Sequence, residues 1–359
     1  MDFELTDDQV ELQGIVREIA AQECPPALAR AVTDGKGDDA ALWQTYVGLD
    51  WPSLVIPEAL GGVGLGTVEL VLVLEELGRV ADPTPFLATT SQFLPIVRSC
   101  GDDAQQAALL QPLLAGGTGA VAFDGAGVEA TRDGDGWALR GTARGVVDGD
   151  RADEIAVVAT TGDGPVVLVV PSASVAATRT PSFDATLHVA DVTFDGVTVT
   201  AERALTAGGE HGVALARAQA ATGLAATMVG ASQRAFELGL DHIKERKQFG
   251  VPIGSFQALK HMAADVYVAI ERARALCQFA GLALDEGDER AVLAASMAKA
   301  AAGDAQRIAA KHGIQFFGGL GYTWENDLHL YVRRAKAGEQ LLGTSAHHRR
   351  RVAEEVLAR

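Results

Sequence analysis

Apolar side chains recur at helical spacing toward both ends of this chain and gather into short β-branched runs in its middle. Thr6 followed by Gln9 has capping-box spacing, and Leu12, Ile15, Val16 and Ile19 then fall on one helical face. Helical pattern continues over 39–48, 67–80 and 102–114, interrupted by the turn-rich stretch from Pro57 to Gly66. Residues 1–118 are therefore expected to form a helical domain. From Gly119 to Thr200 the runs Ile155 to Thr160, Val166 to Val170 and Leu187 to Phe194 have strand length and composition. Asp-Gly pairs beginning at Asp133, Asp135, Asp148, Asp163 and Asp195 mark turns between strands. This predicts a β domain over 119–205.

Beyond Thr206 the helical period returns. Leu224, Met228, Ala231, Ala235 and Leu238 form one stripe, and Leu259, Met262, Val266, Ile270 and Ala273 form another. The alanine-rich stretch from Ala291 to Lys311 favours close helix packing, so 206–359 reads as a helical bundle. The run Gly62-Val63-Gly64-Leu65-Gly66 superficially matches a phosphate-binding loop. It follows Pro57-Glu58 and no βαβ unit surrounds it, so a turn between helices is the better reading.

Charge removes whole classes of partner. The net charge is −17, from 30 Lys and Arg against 47 Asp and Glu, and repels nucleic acid and anionic membrane surfaces. Cys24, Cys100 and Cys277 are far apart and form neither a CxxC pair nor a cluster with histidine, which excludes a disulfide framework and a zinc site. The opening MDFELTDDQVELQ lacks the basic and apolar regions of a leader, and no apolar run approaches the roughly 20 residues a membrane helix needs. A cytoplasmic location is expected.

The segment Glu245 to Asp265, ERKQFGVPIGSFQALKHMAAD, resembles the flavin-clamping segment of acyl-CoA dehydrogenases, and the order of helical domain, β domain and helical bundle is similar to that family over nearly the whole chain. The resemblance implies a mainly α fold with a central β domain: an N-terminal helical domain, a middle β-barrel-like domain and a C-terminal four-helix bundle. It also implies FAD as cofactor and an acyl-CoA substrate. In the family this segment reaches across a subunit interface to the pyrophosphate and adenine end of FAD. Arg246 suits bidentate contact with a pyrophosphate. Phe249 offers an apolar wall, Ile253 a further apolar contact, and Gln248 and Gln257 polar groups. Pro252 and Gly254 make a turn, and Ser255 is placed to cap the helix that follows. Gln315-Phe316-Phe317-Gly318-Gly319-Leu320-Gly321-Tyr322 resembles the family's other cross-interface element, in which Gln315 supplies donor and acceptor atoms while Gly318 and Gly319 let backbone approach the cofactor.

The positions that carry chemistry in the family are different here. Removal of the proton beside the thioester carbonyl needs a carboxylate base, and a positioned base is worth roughly 10²–10⁴-fold. The resemblance places the usual base at Leu342 and the alternative base at Ala220, followed by Ala221 where arginine is frequent. Glu339, one helical turn before Leu342, and Glu325, after Tyr322-Thr323-Trp324, are similarly weak substitutes. His347 and His348, with Arg349, Arg350 and Arg351, read as a basic exposed helix face. In the β domain the family's Thr-Glu-Pro, glycine-rich stretch corresponds to Phe123-Asp124-Gly125-Ala126-Gly127, and its flavin-packing tryptophan and threonine correspond to Gly145 and Val147. Residues offered to a neighbour's FAD are kept, whereas those serving the chain's own flavin ring and substrate are lost. The resemblance thus implies a non-catalytic subunit of a heteromeric (α2β2) dehydrogenase, partnered by a catalytic subunit. Two alternatives stay open: a self-sufficient homodimer or homotetramer with a displaced base such as Glu339, and a flavin-free scaffold of the same fold.

Overall fold

The computed structural model describes residues 4–162 and 164–358, apart from the side chains at 125 and 126; Asp163, one of the expected turn residues, lies outside the described residues. The elements in chain order are α1 (Asp7–Glu23), α2 (Pro26–Thr33), α3 (Ala40–Gly48), α4 (Thr67–Arg79), α5 (Phe86–Ala88), α6 (Leu94–Cys100) and α7 (Asp103–Leu114). Strands β1 (Gly119–Asp133), β2 (Gly136–Val147), β3 (Glu154–Thr161), β4 (Gly164–Pro171), β5 (Ala176–Arg179), β6 (Val189–Val199) and β7 (Ala204–Leu205) follow. Then come α8 (Gly209–Glu245), β8 (Lys247–Gln248), β9 (Val251–Pro252), α9 (Gln257–Asp285), α10 (Ala291–Phe317), α11 (Leu328–Gln340) and α12 (Ser345–Leu357). Helical, sheet and helical parts follow one another in the order that the resemblance leads one to expect. Two compact units divide it: Asp38–Leu70 with Pro83–Ala220, and Met1–Gly37 with Val71–Asp82 and Ala221–Arg359.

The first unit is built on a seven-stranded mixed sheet in the order β5-β6-β2-β1-β3-β4-β7, with β1 and β3 parallel and the other neighbours antiparallel. Its core includes Val128, Leu139, Ile155, Val157, Leu168, Val192 and Phe194. β3 is buried from Ile155 through Ala159, as its unbroken apolar run anticipates for a strand covered on both faces. Asp133 pairs with Gly136 across a tight turn in which Gly134 takes φ +58°, a conformation that suits glycine. Asp148-Gly149 also turns the chain, with the buried Asp148 carboxylate accepting from Arg151 Nε at 2.6 Å. Asp195-Gly196 departs from the expectation of a turn. The ladder between β2 and β6 runs through it, and Gly196, at φ +69°, is the extra residue of a β-bulge between the Leu139–Val197 and Arg140–Asp195 pairs.

The second unit is helical. Thr6 and Gln9 form the expected capping box at the start of α1, and Val16 is fully buried while Ile15, at the edge of the apolar stripe, is 46% exposed instead of facing the core. α4 and α8 cross through glycine. A Cβ on Gly78 would lie 2.2 Å from the Thr227 carbonyl oxygen, and one on Gly230 would lie 1.8 Å from that of Glu75, so backbone packs on backbone. This approach buries Glu75 and Glu76, and arginines from three helices meet them. Arg17 holds Glu76 through Nε (2.9 Å) and Nη2 (2.7 Å), Arg79 makes a two-pronged contact with Glu237 at 2.9 Å, and Arg274 Nε donates to Glu75 at 2.8 Å. α10 packs through small residues, burying Ala294, Ala298, Ala302, Ala305 and Ala309. No helix among the described residues is long and apolar enough to cross a membrane. The cysteines are buried and unbridged.

Candidate functional site

Two segments meet at one end of the helical unit. α8 closes with the Arg246 amide donating to the His242 carbonyl at 2.8 Å, after which Lys247–Gln248 and Val251–Pro252 pair as a minimal hairpin. Its two central residues, Phe249 at φ +54° and Gly250 at φ +82°, are both left-handed, the geometry of the turn that matches strand twist. For phenylalanine this conformation costs roughly 1–2 kcal/mol. The strained ring is also 92% exposed, touching Phe256 edge-on at 6.3 Å between centroids. The Ile253 amide returns to the Arg246 carbonyl at 2.8 Å and closes the hairpin base.

The second segment arrives beside it because His242 stacks on Phe317 at 4.4 Å and the missing side chain of Gly239 leaves room for Phe316. Burial, then the Arg246 guanidinium, holds His242 below its ordinary value. α10 ends at Gly318, whose φ +61° and ψ −133° are in practice open only to glycine. Arg246, Gln248, Phe249 and Gln257 are exposed on the first segment and Gln315, Gly318 and Gly319 on the second, while Ile253 is half-buried. Among the described residues Arg246 makes no ion pair, and the side-chain amides of Gln248, Gln257 and Gln315 make no hydrogen bond, so these polar groups are free for a ligand. Ser255 does not cap α9 as its position had suggested. Its hydroxyl turns back to donate to the Pro252 carbonyl at 2.7 Å, and Phe256 occupies the cap position without a side-chain bond.

The two positions at which the resemblance leads one to expect a base, Ala220 and Leu342, carry no acid. Ala220 is fully buried. Leu342 is half-buried in the loop between α11 and α12, at φ +54°, with Gly343 at φ +100°. This loop is held from three sides. Lys299 of α10, itself fully buried, donates to the carbonyls of Gly343 (2.9 Å) and Glu339 (3.3 Å). His348 Nε2 contacts the Leu342 carbonyl at 3.0 Å, and Thr344 caps α12 through the His347 amide. The Glu339 carboxylate is committed to the same loop, accepting from the Ser345 amide at 3.1 Å and from Lys336 at 3.3 Å, with Gln340 also bound. Glu325 is exposed. His348 does not join a basic exposed face: it is buried, because α12 turns it toward the loop. Lys299 was not singled out from sequence, although a lone lysine among alanines on a buried helix was the available signal.

In the sheet unit, Gly145 takes φ +70° at a bulge and its amide donates to Asp191 at 3.3 Å, while Val147 is buried at the end of β2 opposite Val189. Neither offers a ring or a hydroxyl. Asp124 is exposed and paired with Arg217 at 2.7 Å. The Gly62–Gly66 run packs its backbone on Ile56, and the Gly66 amide is taken by the Glu69 carboxylate at 2.9 Å, as a turn requires.

Two histidines make the fold acid-sensitive. Burial first, then the charge of Lys299, pushes His348 down to about 4, and burial with Arg30 and Arg333 does the same to His329. An unfolded histidine titrates near 6.5. Between those values the unfolded chain binds more protons than the folded one, so stability is fully present above about pH 6.5 and is lost as pH falls through the window toward about 4. Thermal unfolding followed down that range is expected to show a falling midpoint. In the His348→Asn variant the slope should be shallower, and an unchanged slope would remove His348 from this account.

Comparison with known proteins adds three findings. Residues 6–117 match the family model described as acyl-CoA dehydrogenase, N-terminal domain, and residues 209–357 match that described as acyl-CoA dehydrogenase, C-terminal domain. The chain is 35% identical over 355 residues to acyl-CoA dehydrogenase IpdE2 of Mycobacterium tuberculosis, covering 98% of both. Its fold superposes on a chain of the ChsE4-ChsE5 complex from Mycobacterium tuberculosis with a TM-score of 0.93 at 27% identity over the full length of each, and on a chain of the Tcur3481-Tcur3483 steroid ACAD G363A variant with a TM-score of 0.89 at 29% identity over 98% of each.

Proposed function

The chain belongs to the acyl-CoA dehydrogenase family, and from that premise we propose that it is the non-catalytic subunit of a heteromeric dehydrogenase, lending an FAD clamp to a catalytic partner of the same fold. FAD in this family accepts the hydride released in α,β-dehydrogenation of an acyl-CoA thioester. The residues of this chain fit the adenine and pyrophosphate end of that cofactor and not its ring. Arg246 would hold pyrophosphate oxygens through its planar fork, and Phe249 with Ile253 would wall the adenine side. Gln248, Gln257 and Gln315 supply hydrogen bonds, while Gly318 and Gly319 let backbone amides approach.

The observation that carries the reading is an exposed, uncommitted Arg246, following a helix whose His242 stacks on Phe317 at the end of α10, in a chain whose positions 220, 342, 145 and 147 are Ala, Leu, Gly and Val. Proton abstraction and the acyl-CoA substrate then belong to the partner. Glu339 does not replace the base in this reading, because its oxygens anchor Ser345 and Lys336. Heteromeric relatives named among the similar structures support the assignment.

Coexpression with a catalytic acyl-CoA dehydrogenase chain from the same genome, followed by flavin counting, is expected to give one flavin per two chains. The purified chain alone should show no acyl-CoA dehydrogenation, and Glu339→Gln should leave turnover of the complex unchanged. A homo-oligomer with full activity overturns the proposal. Loss of turnover in Glu339→Gln with flavin retained would instead make Glu339 the base.

A further inference from the structure

More than half of the exposed large hydrophobic side chains among the described residues fall in two short stretches, 249–268 and 320–324. The first contains the clamp. The second contains Leu320 (45% exposed) and Tyr322 (81%), at the end of the Gln315–Tyr322 element, and Trp324 (57%) just beyond it.

Trp324 is fixed in place although it is exposed. The Arg333 guanidinium lies 4.4 Å from its ring, and His329 meets it edge-on at 4.4 Å. Its carbonyl accepts from Arg30 Nη1 at 2.8 Å, and Arg30 Nε in turn donates to Asp327 at 2.6 Å. Asn326 ties the same turn by donating to the Leu320 carbonyl. Burial keeps His329 neutral, so it packs against the indole as an uncharged ring. The indole and its backbone are thus ordered before any partner arrives, and little conformational entropy remains to be lost on association. Aromatic side chains flanked by arginine, rigid and exposed, are the composition of an interface hot spot.

We infer that Tyr322 and Trp324 form a protein-docking surface for the catalytic acyl-CoA dehydrogenase chain, separate from the contacts made to FAD. This rests on the reading proposed above. The occupant follows from three observations. The net charge of −17 disfavours nucleic acid and anionic lipid. The stretch follows directly in sequence on the exposed Gly318–Leu320 of the arm, whose proposed ligand is held by that chain. The fold matches over its full length a chain solved as part of a two-protein complex.

The test uses the full chain coexpressed with a catalytic acyl-CoA dehydrogenase chain from the same genome. Hydroxyl-radical footprinting is expected to show Trp324 and Tyr322 protected at least fivefold in the complex relative to the chain alone. Trp324→Ala with Tyr322→Ala should weaken assembly at least tenfold by sedimentation, with the melting temperature of the isolated chain preserved, and Trp324→Phe should restore most of it. Equal labelling in the two states, or assembly unaffected by the double substitution while flavin is retained, overturns the docking surface and leaves the FAD clamp standing. Protection in the chain alone as its concentration rises would assign the surface to a second copy and overturn the heteromeric occupant. A failure to copurify any dehydrogenase overturns both readings together.

Discussion

Arg274→Met is expected to destabilise the chain by about 3–5 kcal/mol, the cost of leaving a buried charge without its partner. Glu75 is 3% exposed, and burial pushes its carboxyl above the usual carboxylate range even with Arg274 in place. Arg274 itself is raised, because Glu75 and Glu271 favour its charged form. Both values rise, but the first disfavours the charged carboxylate while the second favours the charged guanidinium. The Glu75 direction decides the outcome, since its carboxylate is the more deeply buried partner and its desolvation is only partly offset by one guanidinium. Without Arg274 that carboxyl rises further. A carboxyl raised in the folded state contributes stability that is present below its unfolded pKa and lost as pH rises through the folded one. The loss in Arg274→Met should therefore be small in mild acid and grow toward neutrality. Denaturant unfolding of the wild type, the single variant and Arg274→Met with Glu75→Leu checks it. The double variant should recover much of the loss, because apolar packing of similar volume replaces a buried ion pair without leaving a charge. A single-variant loss below about 1 kcal/mol, the range of exposed pairs, would show that the network is screened as a surface one would be.

What could be read from the chain was what local periodicity and spacing encode. The capping box at Thr6 and Gln9, the strand runs at 155–160 and 166–170 and the long apolar stripe from Leu224 to Leu238 lie close to their expected places. The features that escaped depend on partners distant in sequence. Gly196 reads as a turn residue because Asp-Gly is locally a turn, and only the pairing of β2 with β6 makes it a bulge. Ser255 looks like a cap until the Pro252 carbonyl competes for its hydroxyl. His348 and Lys299 appear as ordinary polar residues until the loop between α11 and α12 turns its carbonyls toward them. The left-handed Phe249 could not be anticipated at all, since a bulky residue there runs against its own backbone preference. Such strain at an exposed tip is what a binding element, selected for something other than stability, is able to retain.

Arg246→Gln carries the largest expected functional effect. The side chain is exposed and pairs with no carboxylate among the described residues, so its loss should change folding stability by no more than about 0.5 kcal/mol. Bound to a pyrophosphate, the same guanidinium would make charge-assisted hydrogen bonds worth about 1.5–3 kcal/mol. Flavin affinity of the heteromeric complex is therefore expected to fall roughly 10- to 150-fold. Arg246→Lys should lie between, because a lysine keeps the charge but not the planar fork. Added salt should narrow the gap between the lysine and glutamine variants, as screening reduces what a point charge contributes. Titration of flavin-depleted complex, followed by fluorescence quenching, separates the three proteins. If the glutamine variant bound flavin as tightly as the wild type, the exposed hairpin would be a surface feature and the clamp would have to be sought elsewhere. If flavin affinity fell together with the melting temperature of the isolated chain, the guanidinium would be acting on the fold, contrary to its free position beyond the end of α8.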